Sequence, residues 1–244
     1  MIDTSEPASA AGVRATGWSL VLNRDPAPEA RRAALGELCR RYWYPVYAYL
    51  RQCGHDPDTA QEIASTFFGE LTRHDAAMTA RVSNQCFRDF LLQRLQTFLG
   101  ADWRELPMAD AADLAPPPAE LEHRNGQDNP PGTTADDAFQ RGFAAEVIAR
   151  ALQRLHAEAA GEGHLEMYAA LVPYLAREPS TDEYAAIGAD LAQRPLALIV
   201  ALKRLRQRFR HLVGHELADT VGTDADLRDE QKALHGFLSR NRDG

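Results

Sequence analysis

Apolar residues recur at three-and-four spacing in one stretch of this chain after another, which restricts it to packed amphipathic helices. In "TAQEIASTFFGEL" (59–71), Ala60, Ile63, Ala64, Phe67 and Leu71 share one face. Leu35, Leu38, Tyr42, Val46, Tyr49 and Leu50 form a longer stripe, with Pro45 placed to kink it or begin a new helix. Phe87, Phe90, Leu91, Leu95, Phe98 and Leu99 form a third, continuing towards Trp103. The N-terminal half offers no convincing strand. "GHDPDT" (54–59) is a turn, with Asp56 or Asp58 as N-cap of the helix that follows.

The C-terminal half repeats the pattern. Phe143, Val147, Ala151 and Leu155 make one helix, and Leu165, Tyr168, Leu171, Val172 and Leu175 a second. Then "STDEYAAIGADLAQRPLALIVALKRLRQRFRHLV" (180–213) reads as helix, tight turn, helix. Ser180 and Thr181 can cap the first with help from Glu183, and Pro195 suits the first turn of the second. The tail carries a short amphipathic helix with Leu227, Leu234 and Leu238.

Between the halves, residues 105–138 hold six of the fourteen prolines, eight acidic residues and one basic residue. Low apolar content and strong negative charge predict a flexible acidic linker. The expected organisation is all-α: a helical domain over 1–104, the linker over 105–138, a helix-turn-helix domain over 139–213, and a tail over 214–244.

The net charge of −8 argues against nucleic acid only until its distribution is considered. Most of the acidity lies in the linker and tail, and a basic cluster sits at 203–210. A basic helix can still meet DNA there. Lys203, Arg204, Arg206, Arg208 and Arg210 flank the seam Leu198, Leu202, Leu205, Phe209 and Leu212, as a phosphate-contacting recognition helix would arrange them. A solvated amphipathic helix accounts for the same pattern. Leu196, Ala197, Ile199 and Val200, at the recognition positions, offer few hydrogen bonds to bases, so base reading would lean on Arg194 and on methyl contacts.

Three cysteines (Cys39, Cys53 and Cys86) form no CxxC pair and no disulfide framework, which fits a reducing cytoplasm. The N-terminal residues lack a signal-peptide pattern, and no apolar run approaches membrane-spanning length, so no membrane association is expected. HExxH, P-loop, GxGxxG and GxSxG motifs are absent. The dipeptides His55–Asp56 and His74–Asp75 match a metal phosphohydrolase only weakly. The expectation is a protein without catalytic residues, metal or cofactor.

Three segments carry a resemblance. "TGWSLVL" (16–22), "ELCRRYWYPVYAYLRQCGHDPDTAQEIASTFFGEL" (37–71) and "FRDFLLQRLQTFLGADWREL" (87–106) resemble region 2 of an extracytoplasmic function (ECF) sigma factor. They are similar to the long subgroup with a "RYWYP-YAYLR-GH" signature. "YAAIGADLAQRPLALIVALKRLRQRFRHLVGHELADTV" (184–221) resembles that subgroup's region 4, and the order of the segments agrees.

The resemblance implies a bacterial initiation factor that binds core RNA polymerase and promoter DNA. Region 2 would hold the β′ coiled coil through Gln61, Glu62, Ser65, Thr66 and Glu70, and engage the −10 element with Arg88, Arg94, Trp103 and Arg104. Region 4 would bind the β flap and read the −35 element, using Arg194, Lys203, Arg204 and Arg208. The subgroup typically has acidic side chains where Thr59, Gln61 and Thr66 stand here. The resemblance therefore brings in a serine/threonine kinase, whose phosphate would replace the missing charge, at Thr66 first and at Ser65 or Thr59 otherwise. The alternatives are a sigma-like interaction module that no longer reads promoters, and a stand-alone helix-turn-helix regulator.

Overall fold

The computed structural model describes residues 17–23, 26–73, 85–101, 103 and 115–240, and all regular structure among them is helical. The N-terminal elements are α1 (Gly17–Leu22), α2 (Pro28–Arg41), α3 (Trp43–Gln52), α4 (Pro57–Arg73) and α5 (Phe87–Gly100). After them come α6 (Pro118–Asp128), α7 (Ala135–Gly161), α8 (Leu165–Leu171), a 3₁₀ turn at Val172–Tyr174, α9 (Thr181–Asp190), α10 (Pro195–Ala218) and α11 (Asp224–Arg240).

Local signals place most boundaries. Pro45 does not break a helix, because the chain already leaves helical geometry at Tyr42 (φ −112°, ψ 30°) and Pro45 falls in the first turn of α3. A first-turn residue has no intrahelical partner for its N–H, so proline there loses nothing. Asp56 caps α4, accepting from the Thr59 amide (3.0 Å) and the Thr59 hydroxyl (2.7 Å). Ser180 and Glu183 form a capping box on α9, and Pro195 opens α10.

One apolar core gathers elements from both halves of the chain. Trp18, Trp43, Phe68, Phe87 and Phe90 lie in it with Phe139, Phe143, Val147 and Leu217. Tyr42 stacks on Phe143 at 4.2 Å between ring centroids, and Trp43 stacks on Phe68 at 4.7 Å. The most extensive helix pairing is α3 on α7. Gly142 permits it, since a Cβ there would lie 3.0 Å from the Pro45 Cα.

The end of α10 is tied to the N-terminal elements by backbone. The Trp18 amide donates to the Asp219 carbonyl at 2.7 Å, and the Phe87 amide to the Thr220 carbonyl at 2.8 Å. Gly17 is needed at that junction: its φ is +51°, and a Cβ would fall 2.2 Å from the Asp219 carbonyl oxygen.

The segment expected to be a flexible linker departs from that expectation. Pro118–Asp128 is helical and packs on α3, α4 and α7, with Leu121 fully buried in the core. Pro118 starts the helix instead of interrupting one. Two of the acidic side chains that suggested solvation, Glu122 and Asp128, are matched. Glu122 takes a two-pronged ion pair from Arg51 (2.7 and 3.0 Å) and the Tyr47 hydroxyl at 2.5 Å. Asp128 accepts from the Tyr44 hydroxyl at 2.8 Å. Arg124 lies 3.9 Å from the Tyr44 ring centroid and pairs with Glu146. Residues 105–114, the first part of the expected linker, lie outside the described residues.

Candidate nucleic-acid interface

The turn between α9 and α10 is tight. Ala192 takes φ +51°, and the Gln193 amide returns to the Gly188 carbonyl at 2.9 Å. A side chain at Gly188 would meet the Gln193 carbonyl oxygen at 2.8 Å. The two helices cross at 99°, as a helix-turn-helix requires. Leu198 and Leu202 are buried with Leu171 and Tyr184, which seats α10 on α8 and α9. Beneath α9, Glu183 takes Arg177 and the Ser180 amide, and these hold its carboxyl down to about 2.

The opposite side of α10 is open. Arg194, Leu196, Ala197, Ile199, Val200, Lys203, Arg204, Gln207 and Arg210 are all exposed. The five basic residues in the 203–210 cluster divide by role. Arg206 is spent on structure, donating to the Tyr174 carbonyl (2.8 Å), the Arg177 carbonyl (2.5 Å) and Glu178 (2.5 Å). Arg208 is held by Glu158 through two hydrogen bonds, at 2.7 and 2.5 Å, so it is less available to a phosphate than the sequence suggested. Lys203, Arg204 and Arg210 make no ion pair among the described residues.

The cations expected to hold a −10 strand are placed differently. Arg88 points inwards and joins Glu230 of α11 (2.8 and 3.0 Å), Asp89 and Gln140. Burial works against its charge, but the bonds to Glu230 outweigh it and its pKa is raised. Arg88 is thus a clasp between α5 and α11, turned inwards and engaged with Glu230. Its partner lies in the tail, too far along the chain for local pattern to reveal. Arg94 is half-buried, its Nε without a hydrogen-bond partner among the described residues. Trp103 is half-buried and stacks on Phe98 at 6.4 Å. Arg104 lies outside the described residues.

The expected polymerase face of α4 also needs correction. Thr66 is only 3% exposed, and its hydroxyl donates to the Glu62 carbonyl at 3.0 Å. The helix is packed by α2, α3 and α6, which closes a wider arc than the apolar stripe indicates. Thr66 therefore cannot present a phosphate without leaving its site. Gln61, Ser65 and Thr59 are half-buried, Glu62 is exposed, and Glu70 pairs with Arg73 at 2.5 Å. The Thr59 hydroxyl is engaged by Asp56 in the helix cap.

Catalytic and metal readings find little geometry. Asp56 is occupied as a cap, and His74–Asp75 lies outside the described residues. Cys86, Asp89 and Glu230 bring three ligand atoms within 4.8 Å of one another, but Arg88 is already paired with both carboxylates. Burial and the neighbouring Glu230 charge push the Cys86 thiol up, so it stays protonated and donates to Glu230. Among the described residues, no single helix is long and apolar enough to cross a membrane. No family model, curated protein or solved structure matches the chain.

Proposed function

We propose that this chain is a sigma-type initiation factor of the ECF kind, which brings core RNA polymerase to promoter DNA. The observation that carries the reading is the helix-turn-helix of α9 and α10. Its second helix projects an exposed face on which Arg194, Lys203, Arg204 and Arg210 form no ion pair among the described residues. The ordered resemblance of the flanking segments to regions 2 and 4 supplies the rest: α1–α5 as a region 2 unit and α7–α10 as a region 4 unit. In this reading α6 is a docked connecting helix, the β′ coiled coil and the β flap are the polymerase contacts, and the setting is the bacterial cytoplasm. The chain does no chemistry of its own.

A factor engaged with both promoter elements must separate its two DNA-binding units. The ties between Trp18 and Asp219, Phe87 and Thr220, and Arg88 and Glu230 then belong to the free protein, and polymerase binding releases them. A kinase acting on the α4 face would meet Ser65, which is neither buried like Thr66 nor spent in a cap like Thr59. Phosphate at Ser65 adds charge beside Glu62, one turn away.

A stand-alone helix-turn-helix regulator is the second reading. It is favoured by the same three ties, because a closed molecule can use α10 without opening. Transcription in vitro with core polymerase on genomic DNA separates the two. Initiation that depends on this chain supports the sigma reading. Specific DNA binding without polymerase, and no initiation with it, supports the regulator. Polymerase capture with neither activity would leave only an interaction module.

A further inference from the structure

The open face of α10 changes character along its length. Its first two turns present Leu196, Ile199 and Val200, which are 71%, 44% and 43% exposed. Its next two turns present Lys203, Arg204 and Gln207 on the same side, opposite the buried Leu198, Leu202 and Leu212. Single exposed apolar residues are ordinary, but three together on the leading edge of a projecting helix are not. Arg194, at the helix N-cap, is an exposed hydrogen-bonding side chain at that end of the face, beside Gln193 in the turn.

Charge says what covers this patch. No acidic residue occurs between Asp190 and Glu216, so α10 itself adds only cations to this face, while Glu158 and Glu162 of the α7 end border it at Arg204 and Arg208; the helix suits a polyanion. In a helix-turn-helix, the N-terminal turns of the second helix meet base edges in the major groove. The edges there are polar apart from one group, the thymine C5-methyl. Aliphatic side chains set against other bases would strip water from donors and acceptors and return no hydrogen bond.

We propose that α10 reads DNA through thymine methyl groups, with Leu196, Ile199 and Val200 as the specificity-determining residues; this rests on the DNA-binding reading above. From residue 196 to 200 the helix rises about 6 Å, which covers about two base-pair steps. The preferred site is therefore two or three successive base pairs rich in thymine. A guanine at one end would take Arg194 through its O6 and N7 atoms. Lys203 and Arg204, one to two turns further on, hold phosphates and set the depth of the helix in the groove.

The test uses the full chain, alone and with core polymerase, to select duplexes from a random pool. Selected duplexes are then resynthesised with deoxyuridine for thymine, one position at a time, which removes a methyl and keeps the pairing. Each contacted thymine should lose about fourfold in affinity, the value of one buried methyl. In Ile199→Ser, which removes every methyl at an exposed position where circular dichroism should show unchanged helix content, the deoxyuridine effect should vanish at one of these positions. Selective binding that is indifferent to deoxyuridine at every thymine would overturn the methyl inference and leave the DNA-binding reading standing. No selective binding with or without polymerase would overturn both. Self-association abolished by Ile199→Ser, with no DNA retained, would also overturn both and assign the face to a second copy of the chain.

Discussion

Replacing Leu121 with Ala tests whether the acidic connecting segment is part of the folded core. Leu121 is fully buried on α6, whose other contacts are ion pairs and hydroxyl bonds. The substitution removes three carbons from a closed site. At about 0.8 kcal/mol for each, the lost transfer energy is about 2.4 kcal/mol, and the residual cavity brings the cost to about 3 kcal/mol. Urea unfolding followed by helical circular dichroism should then move its midpoint down by about 1 M, for a slope near 3 kcal/mol per M. Limited proteolysis gives a second reading. Cleavage within 118–128 should be slow in the parent protein and fast in the variant. A flexible linker makes opposite claims. A stability change under about 0.5 kcal/mol, with rapid cleavage at 118–128 in the parent, would refute the docked helix.

Glu230→Ala leaves the Arg88 guanidinium half-buried without its main partner, and should cost about 3 kcal/mol in the same unfolding assay; Arg88→Met with Glu230→Leu should recover most of it. Lys203→Ala with Arg204→Ala should reduce the salt slope of DNA binding by about two units, whereas Arg206→Ala should lower thermal stability, because Arg206 is committed to Tyr174, Arg177 and Glu178. Arg51 holds the Glu122 carboxyl below its ordinary pKa, so its contribution is fully present above about pH 4.3 and fades as pH falls through the lowered value. Glu122→Gln should therefore cost about 1 kcal/mol at neutral pH, and the midpoint gap between variant and parent should narrow in acid.

What the sequence determined alone is most of the helices, α6 excepted, and many of their ends. These depend on neighbours within a few residues: apolar spacing, the Asp56 cap, the Ser180–Glu183 box, Pro195 in a first turn, Pro45 near the start of a new helix. The helix-turn-helix and the open face of α10 were legible for the same reason. Tertiary structure decided which surfaces remain free. Thr66 sits on the flank of its apolar stripe, and only the packing of α2, α3 and α6 makes that flank interior. Arg88 looks like a DNA-facing cation until Glu230, 142 positions away, turns it into a clasp. Residues 118–128 look solvated when their charge is summed, yet Arg51, Tyr47 and Tyr44 answer that charge one side chain at a time. Local sequence sets backbone propensity within a turn or two. Burial and charge matching depend on which distant elements arrive alongside, and that is settled only when the helices pack.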